Sequence, residues 1–196
     1  MHLAFDIFQG IGIAAAVGIR PFLPAIAVGA LGAADVQIDY SHTSYSFLEQ
    51  APFLLVMVIG VVLLGVTERR ATRELLQGRL VMLTLAAISL IIGALMFAGA
   101  LAQDHQAVWP GFLAGVICAG VGLMATRPLL DRVRARLDET ATATLPLFTE
   151  SGALLAAVLT VLLPPVGLVV LAFLLWLLYA GRSRAEQKYA GLRILR

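Results

Sequence analysis

Charge is scarce in this chain. Lys, Arg, Asp and Glu make up 13% of its 196 residues, hydrophobic residues 60%, and the mean hydropathy is +0.93. Soluble domains carry roughly 25% charged residues, so a water-soluble globular protein is excluded and an integral membrane protein is indicated. Cysteine is nearly absent: Cys118 stands alone inside an apolar segment, which rules out an intrachain disulfide and reads as a buried free thiol. Basic residues are missing from the start, "MHLAFD", and the apolar run that follows is longer than a signal-peptide core, so it reads as a retained segment. No Ser-His-Asp set, HExxH, P-loop or dinucleotide fingerprint occurs, which leaves no enzyme reading, no cofactor and no metal site.

What is present is a series of apolar runs, at about 3–33, 45–67, 80–102, 108–128, 145–163 and 166–181. "LLPPVG", Leu162 to Gly167, reads as a tight turn between the last two. The expected fold is an all-α integral membrane protein of six transmembrane helices in a single membrane domain, 1–196. Basic residues collect after the second run (Arg69, Arg70, Arg73, Arg79), after the fourth (Arg132, Arg134, Arg136) and at the end (Arg182, Arg184, Lys188, Arg193, Arg196). Six crossings put all three groups on one side, so the positive-inside rule places both termini in the cytoplasm. Tyr40, Tyr45 and Trp109 are then expected at the outer boundary, and Trp176 and Tyr179 at the inner one. The net charge of +2 is a topology signal and not a nucleic-acid footprint.

Two basic residues escape that account. Arg20 and Arg127 sit in "GIRPFLP", Gly18 to Pro24, and "TRPLLD", Thr126 to Asp131. A shift of 107 positions superposes Arg20 on Arg127 and Pro21 on Pro128. A shift of 101 superposes "FLE", Phe47 to Glu49, on "FTE", Phe148 to Glu150. The chain therefore divides into repeats of about 1–103 and 104–196. Three spans in each would make the second inverted, the 3+3 plan of many transporters. Proline removes a backbone donor, so each Arg-Pro pair should break its helix, and the polar backbone thus exposed should face protein or a watery cavity.

A guanidinium beside a helix N-terminus suits an anion or a carboxylate. Glu49 and Glu150 are the internal candidates, Arg20 with Glu49 near the outer face and Arg127 with Glu150 near the inner one. These readings give a small inverted-repeat transporter or channel for a small anion or proton-coupled solute, with Arg20, Pro21, Glu49, Arg127, Pro128 and Glu150 binding or gating. Two alternatives stay open: a lipid-binding or lipid-translocating protein with the breaks as headgroup cleft, and a structural membrane-assembly protein whose pairs tie broken helices together. Membrane lipid is the expected partner, and a homo-oligomer is compatible with so short a chain.

Other polar residues read as less specialised. Asp35, Asp39, His42, Asp104 and His105 form an acidic outer rim, and Glu68 reads as interfacial beside its arginines. "GFLAG", Gly111 to Gly115, has small-residue spacing for close helix contact. "PLLDRVRARLDE", Pro128 to Glu139, reads as an amphipathic helix on the inner surface. "GIGIAAAVGIRPFLPAIAVGALGA", Gly10 to Ala33, and "SFLEQAPFLLVMVIGVVLLGVTERR" resemble the bacterial membrane family called domain of unknown function 4126, although "TERRATREL" lacks the proline expected after the second span. The resemblance implies a small polytopic protein of the bacterial inner membrane and supplies no activity.

Overall fold

The computed structural model describes residues 2–70, 79–103, 107–134, 136–137 and 139–192. Arg73, Asp104, His105, Arg193 and Arg196 lie outside these. The described residues form seven α-helices and no strand: α1 His2–Ile19, α2 Phe22–Ala33, α3 Ala51–Arg70, α4 Arg79–Ala102, α5 Trp109–Arg134, α6 Glu139–Leu162 and α7 Pro165–Leu192, with a 3-10 turn at Ser46–Leu48. Among the described residues, four helices are long and apolar enough to cross a membrane: α3 to α6.

The first apolar run is two helices. Pro21 and Pro24 lack N–H groups, so the carbonyls of Val17 and Arg20 lose their helical donors and α1 cannot continue. The chain reverses: α2 packs antiparallel to α3, with Phe22 against Gly60 and Gly29 against Leu54, and its far end reaches Tyr40, which also touches Gly99 of α4. At the α2 C-terminus the Val36 amide bonds the Leu31 carbonyl and the Asp35 amide the Gly32 carbonyl, with Asp35 at φ 53°. This is a Schellman closure with Asp in the position usually held by Gly. Twelve residues give α2 a length of only about 18 Å.

The second Arg-Pro pair behaves differently. Pro128 lies inside α5, which runs on to Arg134. A single proline removes one donor where two at 21 and 24 remove two, and α5 absorbs the loss. The expected break at Arg127-Pro128 is therefore not formed, and most of the segment expected on the membrane surface continues α5. At the other paired proline the expected turn is present: α6 ends at Leu162 and α7 begins at Pro165. Pro165 deprives the Val161 carbonyl of its donor, and the buried Gln9 side chain supplies one at 3.3 Å.

α1 is the central helix, packed on α2, α4, α5, α6 and α7. Ile13, Ala14, Ala15, Ala16 and Val17 are wholly buried. Small residues let the backbones approach: a Cβ on Gly18 would meet the Ala119 backbone, and one on Gly122 the Ala15 carbonyl oxygen. Gly111 and Gly115 face Ala98 and Ala94 of α4, so the "GFLAG" glycines pack inside the bundle. Tyr40, expected at the outer boundary, is instead fully buried, whereas Trp109, Trp176 and Tyr179 are exposed. Burial, aided by the neighbouring Glu49 carboxylate, pushes the Tyr40 hydroxyl pKa well up and keeps it neutral.

Helix directions follow from these contacts. α4 is antiparallel to α1, with Gly10 on Phe97 and Gly93 beside Ala14, and antiparallel to α5, with Gly111 on Ala98 and Gly120 on Leu90. α1 and α5 therefore run the same way, which does not match an inverted second half. Seven alternating segments also bring the start of α1 and the end of α7 to opposite ends of the bundle, where six full crossings would join them on one face.

The glycines give a direct test. Gly122→Ala should lower stability by about 1–3 kcal/mol, because backbone and not a flexible side chain occupies the space. Gly65→Ala, with no atom within 4 Å, should be neutral or stabilising by about 0.5–1 kcal/mol. Unfolding of the two variants in detergent, read against wild type, separates them.

Candidate functional site

The α1–α2 reversal brings three helices to one point. Arg20 follows the last residue of α1, and its amide still bonds the Ala16 carbonyl at 3.2 Å. α3 returns alongside α2, so its final turn arrives below the hairpin. Phe22 is level with Gly60, and Glu68 lies eight residues, about 12 Å, further along α3. The Arg20 and Glu68 side chains extend toward each other and close the gap. Arg20 Nη1 donates to Glu68 Oε1 at 2.7 Å, and its Nε donates to Thr149 Oγ1 of α6 at 3.3 Å.

The ion pair is largely buried, with side-chain exposures of 10% for Arg20 and 17% for Glu68. A paired, hydrogen-bonded charge is the form in which a guanidinium persists away from water. Beside it Arg20, Pro21, Phe22, Leu23, Val61, Leu64 and Glu150 line a cleft. About 10 Å³ of it is open to the centre of a water-sized molecule, close to the minimum that holds one water. Glu150 is half-buried and makes no hydrogen bond or ion pair among the described residues. The cleft is thus lined by one arginine and one carboxylate, and the arginine is bonded to a second carboxylate, Glu68.

This arrangement corrects the expected pairs. Glu49 does not meet Arg20: it lies at the opposite end of α2, where its Oε2 accepts the Tyr40 amide at 3.2 Å. Arg127 does not meet Glu150: its Nη2 donates to the Met82 carbonyl at the start of α4, at 3.0 Å. The Pro128 carbonyl accepts the Arg132 Nε at 2.9 Å within α5. Because α1 and α5 are parallel, Arg20 and Arg127 share one end of the bundle and do not form an outer and an inner gate. Of the six expected site residues, Arg20, Pro21 and Glu150 are brought together, while Glu49, Arg127 and Pro128 stand apart.

Glu68 is the partner that the sequence reading set aside as interfacial. The signal was its place at the end of α3, whose Ala51–Glu68 stretch is otherwise uncharged and strongly apolar. A hairpin in the first run returns that end of α3 to Arg20.

With this geometry in hand, comparison with known proteins settles the family. Residues 7–183 match the family described as domain of unknown function (DUF4126). The chain belongs to that family. No curated protein and no solved structure matches it. The match covers all seven helices except the tips of α1 and α7, so the hairpin, the ion pair and Glu150 all lie within the family's own domain.

A double-mutant cycle checks the pairing. Arg20→Gln and Glu68→Gln should each cost about 3–5 kcal/mol, the penalty for leaving a buried partner alone, and together they should cost less than the sum. Glu49→Gln, at the far end, should add to Arg20→Gln without coupling, to within about 0.5 kcal/mol.

Proposed function

We propose that this protein is a small multi-pass carrier or channel of the bacterial plasma membrane, with its arginine-rich end in the cytoplasm and its solute-linked chemistry in the Arg20–Glu68–Glu150 cleft. The observation that carries this reading is the cleft itself: a 92%-buried arginine, paired to Glu68, with a second carboxylate, Glu150, that has no partner among the described residues and lines the space beside Arg20. Ionisable groups inside membrane helices cost several kcal/mol to insert and mark ion or proton paths more often than they serve as simple props.

Glu68 already neutralises Arg20, so the added carboxylate of Glu150 leaves this region short of positive charge, which disfavours an anion and favours a proton-coupled solute. Room for about one water fits a proton better than a lipid headgroup in this conformation. The positive-inside rule supports the orientation, because α3 ends, α4 begins and α5 ends with arginines at the Arg20 end. The exposed apolar side chains of α3, among them Leu55, Val56, Val62 and Leu63, face membrane lipid.

A structural reading has its own support, because the Arg20–Glu68 pair closes the hairpin onto α3. The two readings part on Glu150, which the hairpin does not use. Purified wild type and Glu150→Gln should be screened by thermal unfolding against protons, small cations, carboxylates, inorganic anions and lipids. A carrier site requires a compound that stabilises wild type, by about 2.7 kcal/mol at a hundredfold excess over its dissociation constant, and that loses its effect in the variant. Identical profiles for the two proteins across the whole screen would leave the cleft a structural tie.

A further inference from the structure

α3 is tied to the bundle at its inner end by the Arg20–Glu68 ion pair. Along its length it packs chiefly on α2 and the 3-10 turn, through a narrow stripe that includes Met57, Val61 and Leu64, while most of its circumference is exposed. One residue past Leu64, a Cβ on Gly65 would meet no atom within 4 Å, and Val66 and Thr67 are exposed, before Glu68 meets the bundle. Arg20 is the group it meets, at 2.7 Å. Arg20 also lines the cleft together with Glu150, which makes no bond among the described residues and reaches this point from a different helix, α6.

From this competition we propose that Glu150 is the proton-binding group of the cleft and that its charge decides how firmly Arg20 holds α3. With Glu150 protonated, Arg20 has one anionic partner and the Glu68 contact is closed. When the Glu150 proton leaves to water in the cleft, two carboxylates on different helices compete for one guanidinium. Arg20 then turns toward Glu150, and the inner end of α3 is released. The charged residues lining the cleft are Arg20, which follows α1, and Glu150 from α6, and Glu68 from α3 reaches them through its bond to the Arg20 guanidinium. Thr149 adds a neutral hydroxyl and α2 only backbone and apolar side chains. The side chains of Arg69 and Arg70 lie outside the described set.

This inference deepens the carrier reading by naming the proton as the species bound, and rests on that reading for the use made of the movement. The movement is tested separately from transport. Nitroxides placed at Val66→Cys on α3 and Met124→Cys on α5, both exposed positions, in a Cys118→Ala background, report the distance between the inner ends of the two helices by electron double resonance. Wild type should give one distance in acid and a second, increasingly populated one as pH rises. Glu150→Gln, which keeps the neutral form, should hold the acid distance at every pH. Glu68→Gln should hold the alkaline distance at every pH.

A single distance in wild type at all pH values, or a Glu150→Gln protein that titrates as wild type does, overturns the switch. Glu150→Gln removes no bond seen among the described residues, so its folding does not limit the test. Ligand binding that depends on Glu150 without movement of α3 would sink the switch and spare the carrier. Movement of α3 in a protein that binds nothing would do the reverse.

Discussion

Two missing backbone N–H groups, at Pro21 and Pro24, organise the molecule. They leave the carbonyls of Val17 and Arg20 without helical donors, and a 31-residue apolar run that a straight helix would extend to about 46 Å folds back on itself. Every later direction depends on that reversal. It adds a segment, so α3 descends beside α2, α1 and α5 run parallel, and the start of α1 and end of α7 lie at opposite ends. Had the run crossed once, Arg20 and Glu68 would have been separated by the thickness of the membrane.

The reversal also sets a depth. α2 spans about 18 Å against a hydrocarbon layer of about 30 Å, too short to cross it, so an α2 anchored at one edge would hold the turn at Arg20 inside the apolar layer. Polar backbone at that depth is tolerated only against protein or a wet cavity. α1 meets this condition by sitting at the centre of the bundle, and it can do so because its middle is built of alanine and glycine. Close backbone contact with α5 at Gly18, Ala119 and Gly122 and, further up, with α7 at Gly12 and Gly167 seats α1 among its neighbours and leaves Arg20 buried at its end. Small residues and a buried guanidinium are thus two parts of one arrangement: the first encloses the turn, the second occupies it.

Much of the fold was legible because hydropathy reports burial in lipid directly. The runs from residue 45 onward coincide with α3 to α7 to within several residues at most ends, and the prolines at 21 and at 164 and 165 marked real helix ends. What hydropathy does not report is direction. A kinked crossing and a re-entrant hairpin are equally apolar, and only the excess length of 3–33 hinted at the second. From that one ambiguity came the misplaced partner of Arg20, the inverted repeat and the shared side for the termini. The likeness of "IRP" to "TRP" misled for a different reason: Arg20 is followed by a second proline four residues on, Arg127 is not, and a helix survives the loss of one donor.

The bonds made by the polar side chains argue about what Arg20 is for. Prolines leave orphan carbonyls, and the least costly repair is a side-chain donor aimed at one. Gln9 does this for Val161 across the bundle, and the arginines of α5 also donate to carbonyls, Arg127 to Met82 and Arg132 to Pro128. Arg20 sits beside two orphan carbonyls, its own and that of Val17, yet its side-chain bonds go to the Glu68 carboxylate and the Thr149 hydroxyl. A group retained only to mend the hairpin would serve the hairpin's backbone. A buried ion pair adds little net stability over apolar packing of the same volume, and here it is formed near the end of a largely exposed helix, close to a carboxylate that makes no hydrogen bond or ion pair among the described residues. Placing the one buried guanidinium among the described residues between a fixed helix and a loosely held one is poor economy for a staple and a sensible position for a contact that opens.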